Sequence, residues 1–260
     1  MAEAATLKSG QSLGDTMNKT INHTLIALAA ALPLAVATQT ALAAKIAVIG
    51  TGNVGSALGP EFAALGHTIV YGSRTPNEQD VKDLVAKTGH GATAMAQPEA
   101  VKGADIVVLA VPGNLAVQIT QSLGDLSGKI ILDPTNVVNR SSADGYADHG
   151  VPGGSNAELI QKAAPGAKVV KAFNTLNWTK MVDPASSGGP VSIPIVGDDA
   201  AARATVAELV KGMGLEPVDL GPLRFANTLE EMLVIWANAR GKGAPYNYYL
   251  RPEPAAAPAR

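Results

Sequence analysis

Residues 45–55 read Lys-Ile-Ala-Val-Ile-Gly-Thr-Gly-Asn-Val-Gly. A short apolar, β-branched run passes straight into a Gly50-x-Gly52-x-x-Gly55 turn, and helical patterning follows from Val54 to Leu65. A strand, a glycine turn and a helix in that order form a unit with a specific use. Gly50 permits the tight turn, Gly52 lets backbone approach a pyrophosphate, and Gly55 lets the helix pack close to the strand. The helix N-terminus adds unpaired amides and a dipole that favour phosphate. Gly50, Thr51, Gly52, Asn53, Val54 and Gly55 are therefore expected to cradle the phosphates of a dinucleotide. The competing reading is an ordinary glycine turn between a strand and a helix.

The next strand, 67–71, runs into Gly72-Ser73-Arg74-Thr75-Pro76. An NAD site commonly places Asp or Glu about 20 residues beyond the first glycine, on the ribose hydroxyls. No acid stands at this strand end. Ser73, Arg74 and Thr75 offer a guanidinium fork and hydroxyls instead, which suit a 2′-phosphate. The expected cofactor is NADP.

Strand and helix patterns alternate down the chain. Strands are expected at 92–95, 104–111, 129–133, 169–173, 191–196 and 216–220. Helices are expected over 77–88, 114–123, 155–164, 199–213 and 223–240, with a long polar loop over 134–154. This is the pattern of an α/β, doubly wound, mostly parallel Rossmann-type sheet. It implies a single domain over 44–240 with a C-terminal α/β extension and helix, then a loose tail over 241–260. Ligands of such sheets sit beyond the carboxyl ends of the strands. Those ends add Ala110, Val111 and Pro112, then Asn136, then Asn174 to the candidate site.

The segment before residue 45 reads as an address. Residues 25–37 are apolar without interruption by a charge, Lys19 precedes them, and Ala41-Leu42-Ala43 follows. That order matches the n-region, h-region and cleavage site of a secretory signal, with Met17 as a natural start. The run falls short of the roughly 20 residues of a membrane span. Export, to the periplasm after cleavage near Ala43, is the expectation; an uncleaved anchor or a cytoplasmic chain is the alternative.

Charge excludes one class of partner. With 20 Lys and Arg against 22 Asp and Glu, the net charge is −2, so no basic footprint for nucleic acid exists. Lys8 and Lys19 offset Glu3 and Asp15, so removing the leader leaves that balance unchanged. No second long apolar run implies a membrane domain. The absence of cysteine removes disulfides and thiolate metal sites.

Six stretches carry a family resemblance: 49–55, Gly72-Ser-Arg74, Leu109-Ala-Val-Pro112, Leu132-Asp-Pro-Thr-Asn136, Val170-Lys-Ala-Phe-Asn-Thr175 and Val196-Gly-Asp-Asp199. From 45 to about 245 the chain resembles dinucleotide-binding enzymes related to NADPH:coenzyme F420 oxidoreductase, and the reductase half of six-transmembrane metalloreductases. The resemblance implies NADP(H) on the Gly50 loop and Ser73-Arg74. It also implies a flavin- or deazaflavin-like hydride acceptor beside Val111-Pro112 and Asn174. One departure stands out. The family often carries a basic residue soon after Gly-Ser-Arg, where this chain has Glu78, and Lys82 is the nearest lysine.

The expected chemistry is hydride transfer, in which the nicotinamide reacts and the protein orients. No acid/base pair is evident. His149, in the long loop, reads as solvated, with proton donation as the alternative. The four histidines lack metal-site spacing. Trp178 and Trp236 read as packing residues. Tyr246, Tyr248 and Tyr249 read as tail anchors or a homodimer contact, with stacking on an acceptor as the alternative. Two further readings stand beside the reductase. One is a pyrroline-carboxylate or imine reductase, which would follow its nucleotide domain with helices alone. The other is a non-catalytic NADP(H)-binding module.

Overall fold

The computed structural model describes residues 43–140, 142–244 and 249–252. Apart from Ala43, the expected signal segment lies outside the described residues, as do Tyr246 and Tyr248.

The first half runs β1 (Lys45–Ile49), α1 (Asn53–Ala64), β2 (Thr68–Ser73), α2 (Gln79–Thr88), β3 (Thr93–Ala96), α3 (Gln97–Ala100), β4 (Ile106–Leu109), α4 (Gly113–Ser122) and β5 (Ile130–Asp133). The second half runs β6 (Val138–Asn139), β7 (Asp148–His149), α5 (Asn156–Ala163), β8 (Lys168–Lys171), α6 (Trp178–Val182), β9 (Ser192–Gly197), α7 (Ala200–Gly212), β10 (Glu216–Asp219) and α8 (Ala226–Gly241). Eight strands form one sheet in the order β10-β9-β8-β5-β4-β1-β2-β3. The strand order reverses between β1 and β4, so the switch point of the doubly wound sheet lies there.

Burial on both faces explains why the central strands are continuously apolar. Ile46 and Val48 of β1 face a core shared with Leu58 and Phe62 of α1 and Val206 of α7. Ala47 and Ile49 face the opposite core, with Ala116 of α4, Ile160 of α5 and Leu229 of α8. Helix α1 lies close against the sheet because Gly59 leaves room for Tyr71. A Cβ at Gly59 would stand 2.0 Å from the phenol oxygen. The Tyr71 hydroxyl pairs with Thr88 Oγ1 at 2.7 Å. Burial pushes this phenol up to about 12, against the opposing effect of that hydrogen bond.

The parallel pattern breaks at one place. Strand β9 runs antiparallel to β8, and β10 is parallel to β9. The 20-residue span between β8 and β9 therefore returns along the same edge instead of crossing over. The carboxyl ends of β9 and β10, including the Val196-Gly-Asp-Asp199 stretch, point away from the candidate site. Strand β4 is also shorter than the apolar run 104–111, ending at Leu109. The loop over 134–154 carries a small antiparallel hairpin, with Val138 opposite His149. Its amphipathic signal is too short to read from periodicity alone. Among the described residues, no helix is long and apolar enough to cross a membrane.

Candidate functional site

Each glycine of the first turn occupies a position with a different requirement. Gly50 adopts φ 105°, and a Cβ there would lie 2.2 Å from the Ala110 carbonyl oxygen. A Cβ at Gly55 would lie 2.1 Å from the Gly50 carbonyl oxygen, so α1 could not sit where it does. A Cβ at Gly52 would meet nothing within 4 Å. Gly50 and Gly55 serve packing, whereas Gly52 fronts open space. The first turn of α1 has no side-chain cap and no acidic residue. Its amides stay available to an anion.

Gly50, Thr51, Gly52, Ser73, Arg74, Ala110, Val111 and Pro112 line one groove, of about 1240 Å³ including its open mouth. The strand pairing of β1 with β2 and β4 brings these three segments together. Ser73 is buried, and its hydroxyl oxygen accepts the Thr75 N–H at 3.1 Å. Thr75 Oγ1 donates to Glu78 Oε2 at 2.9 Å. Arg74 is the cation among the groove's lining residues, and Glu78 and Asp80 line it as well. Arg74 thus brings a guanidinium to the groove, and two carboxylates share that lining.

Val54, Asn136 and Asn174 line a second, largely apolar pocket of about 780 Å³, with Phe173, Leu176, Trp178, Met181, Leu233, Trp236 and Tyr249. Gly52 and Val54 thus border different cavities on either side of the α1 N-terminus. Asn53 and Gly55 line neither. The two tryptophans, expected as packing residues, front this pocket, and Trp178 is 38% exposed.

Beneath the pocket is a buried polar network. Lys171 is fully buried at the end of β8. Its Nζ donates to Asp133 Oδ2 at 2.8 Å, to the Thr135 carbonyl at 2.7 Å and lies 3.0 Å from Glu230 Oε1. Glu230, on α8, also accepts the Asn156 and Ala157 N–H groups at the start of α5, at 2.9 and 3.3 Å. His149 Nε2 reaches the same carboxylate at 2.8 Å, and Nδ1 faces the Val151 carbonyl at 3.0 Å. Both ring nitrogens thus lie within hydrogen-bond reach of protein oxygens. The histidine is therefore not solvated as expected; its side chain is 7% exposed. The hairpin β6-β7 carries it to α8, and Ala147 exchanges two hydrogen bonds with Asn238 at 2.6 and 2.8 Å. Fully satisfied buried charges of this kind define a unique arrangement of the elements that carry them. Lys171 and Glu230 escaped the sequence reading. The available signal was a lysine and an aspartate, each closing a short strand with apolar residues before it, at 168–171 and 130–133.

The residue before Asn174 is strained: Phe173 is buried with φ 66°. A bulky residue in the left-handed region persists only where its surroundings hold it. Here the turn delivers Asn174 to the pocket. Asn174 Nδ2 donates to Asn136 Oδ1 at 3.0 Å and to the Leu229 carbonyl at 2.9 Å, while Asn136 Nδ2 donates to the Asn174 carbonyl at 2.8 Å. Asn174 Oδ1 is buried without a hydrogen-bond partner.

Known proteins share the sequence pattern and the fold. The family described as NADP oxidoreductase, coenzyme F420-dependent, matches residues 45–137. A crystal structure of a protein assigned as an F420-dependent NADP reductase, from Arthrobacter sp. FB24, is 33% identical. It covers 80% of this chain and 100% of its own, with a TM-score of 0.72. The chain belongs to the coenzyme F420-dependent NADP oxidoreductase family. The description of that family is of NADP-dependent oxidoreductases. The F420-dependent NADP reductase of Methanothermobacter thermautotrophicus is 28% identical over 213 residues, 76% of this chain and 90% of that protein. Rat metalloreductase STEAP3 is 29% identical over 189 residues, 72% of this chain. The chain spans about a third of the length of that metalloreductase, 36%. The groove fits the family's cofactor: the open face at Gly52, the uncapped amides of α1 and the arginine at the end of β2 meet the needs of a phosphorylated dinucleotide.

Proposed function

We propose that this protein catalyses hydride transfer between NADP(H), held in the Gly50–Arg74 groove, and a planar flavin- or deazaflavin-like acceptor in the adjoining pocket. The observation that carries the reading is the placement of the two cavities on either side of the α1 N-terminus, one phosphate-ready and one apolar. Bound NADPH supplies the hydride. The α1 amides and Arg74 bind the phosphates, and Val111 and Pro112 line the same groove. Trp178, Trp236, Leu233 and Met181 offer apolar faces for a flat ring and exclude water from it. Orientation and exclusion are the protein's share of such a reaction, and a dedicated acid is not obligatory. The buried network of Lys171, Asp133, Glu230 and His149 fixes α8, and with it Leu233 and Trp236, against the ends of β5 and β8.

Stopped-flow oxidation of NADPH by the purified protein tests this reading against a panel of flavins, a deazaflavin, ferric chelates and cyclic imines. Turnover with a flavin or deazaflavin is the expected result. Reduction of imines alone would replace the reading with the imine reductase, and tight NADPH binding without oxidation by any acceptor would leave a binding module.

A further inference from the structure

We propose that Asn174 Oδ1 anchors the nicotinamide carboxamide by accepting its N–H, and so fixes which face of the ring meets the apolar pocket. The inference rests on the dinucleotide reading above and adds an atom and an orientation to it. Both partners of Asn174 Nδ2, Asn136 Oδ1 and the Leu229 carbonyl, are acceptors. The amide is therefore locked, and Oδ1 cannot exchange places with Nδ2. That oxygen is, among the described residues, the buried side-chain polar atom left without a hydrogen bond. Native proteins rarely leave such an atom unpaired, and a bound group or an ordered water commonly completes it.

Position decides the donor. A 2′-phosphate at Arg74 places the adenosine end beyond β2, so a dinucleotide crossing the glycine turn brings its other end over β4, β5 and β8. Asn174 follows β8 and lines the pocket there. The nicotinamide ring offers one kind of N–H donor, the carboxamide. The other side-chain amide oxygens lining the pocket are engaged, which leaves only the Thr175 and Tyr249 hydroxyls as further side-chain acceptors there. Asn136 Oδ1 takes the Asn174 amide, and Asn177 Oδ1 takes the N–H and hydroxyl of Thr179 at 3.0 and 2.9 Å. Trp178 and Trp236 carry a donor only. Holding the carboxamide at one edge of the ring prevents the ring from turning over.

Two analogues separate the donor from the carbonyl. The thionicotinamide analogue of NADP+ keeps the N–H groups, whereas the 3-acetylpyridine analogue keeps a carbonyl and replaces the amine with methyl. Dissociation constants of the wild-type protein, from equilibrium fluorescence or calorimetry, are expected to stay within about threefold for the thio analogue. For the acetylpyridine analogue they should rise about tenfold, the worth of one well-made hydrogen bond. Asn174→Ala is expected to bind NADP+ and the acetylpyridine analogue equally. The wild-type series needs no variant, so a folding defect in Asn174→Ala leaves the test intact. Equal binding of NADP+ and the acetylpyridine analogue by the wild type would overturn the assignment, as would discrimination that survives in Asn174→Ala. Failure of the wild type to bind NADP+ or either analogue would overturn the dinucleotide reading itself.

Discussion

Glu230 Oε1 lies 3.0 Å from Lys171 Nζ, and both side chains are fully buried. The two residues stand on β8 and α8, so the pair joins the sheet to the helix that lends Leu233 and Trp236 to the apolar pocket. Removing one member strands the other charges away from water. Lys171→Met should therefore cost about 3–5 kcal/mol of unfolding free energy in urea titrations. Glu230→Gln should also lower acceptor turnover, because α8 carries Leu233 and Trp236.

Gly52 and Gly55 should separate binding from folding. Gly52 has φ −76° and ψ −165°, which any residue adopts, and open space where a Cβ would go. Gly52→Ala should keep its stability within about 0.5 kcal/mol while NADPH affinity falls at least about tenfold. Gly55→Ala should lose stability as well, because its Cβ would stand 2.1 Å from the Gly50 carbonyl oxygen. Thermal unfolding with NADPH titration on the same samples checks both.

Glu78 would oppose a phosphate bound at Arg74. It lines the groove beside Arg74 and accepts the Thr75 hydroxyl. Glu78→Lys reverses a charge and frees that hydroxyl. NADPH should bind about three- to tenfold more tightly at low salt, with the gain shrinking as ionic strength rises. NADH affinity should move far less.

Burial lowers the pKa of His67 from the ordinary 6.5, and its Nδ1 accepts the Ala44 N–H at 3.1 Å. The unfolded chain thus binds the proton more readily than the native one. The contribution of this residue is fully present above 6.5 and is lost as pH falls through the lowered native value. His67→Asn keeps a side-chain acceptor and should show a shallower loss of stability between about pH 7.5 and 5.5 than the wild type, measured by denaturant unfolding.

Local chemistry made much of this molecule legible in the sequence. The run into Gly50 fixes a strand, a turn and a helix start because only glycine satisfies Gly50 and Gly55. The apolar strands follow from burial on both faces of the sheet. Eight of the residues expected at the cofactor site line one groove, and Val54, Asn136 and Asn174 line the adjoining pocket. What stayed hidden depends on contacts distant in sequence. The antiparallel turn of β9 is a pairing choice that its own residues do not encode. The link between Lys171 and Glu230 spans β8 and α8, and His149 joins it through a two-residue hairpin pairing too short to carry a periodic signal. Trp178 and Trp236 look like core residues by composition, and only the end of β8 and the path of α8 place them on a pocket.

Arg74 is expected to make the groove selective for NADP(H) over NAD(H). Equilibrium titration of the wild-type protein with NADPH and with NADH tests it most directly. NADPH should bind more tightly by about tenfold or more, and Arg74→Ala should collapse that ratio by weakening NADPH alone. Equal affinities in the wild type, or tighter binding of NADH, would contradict the account.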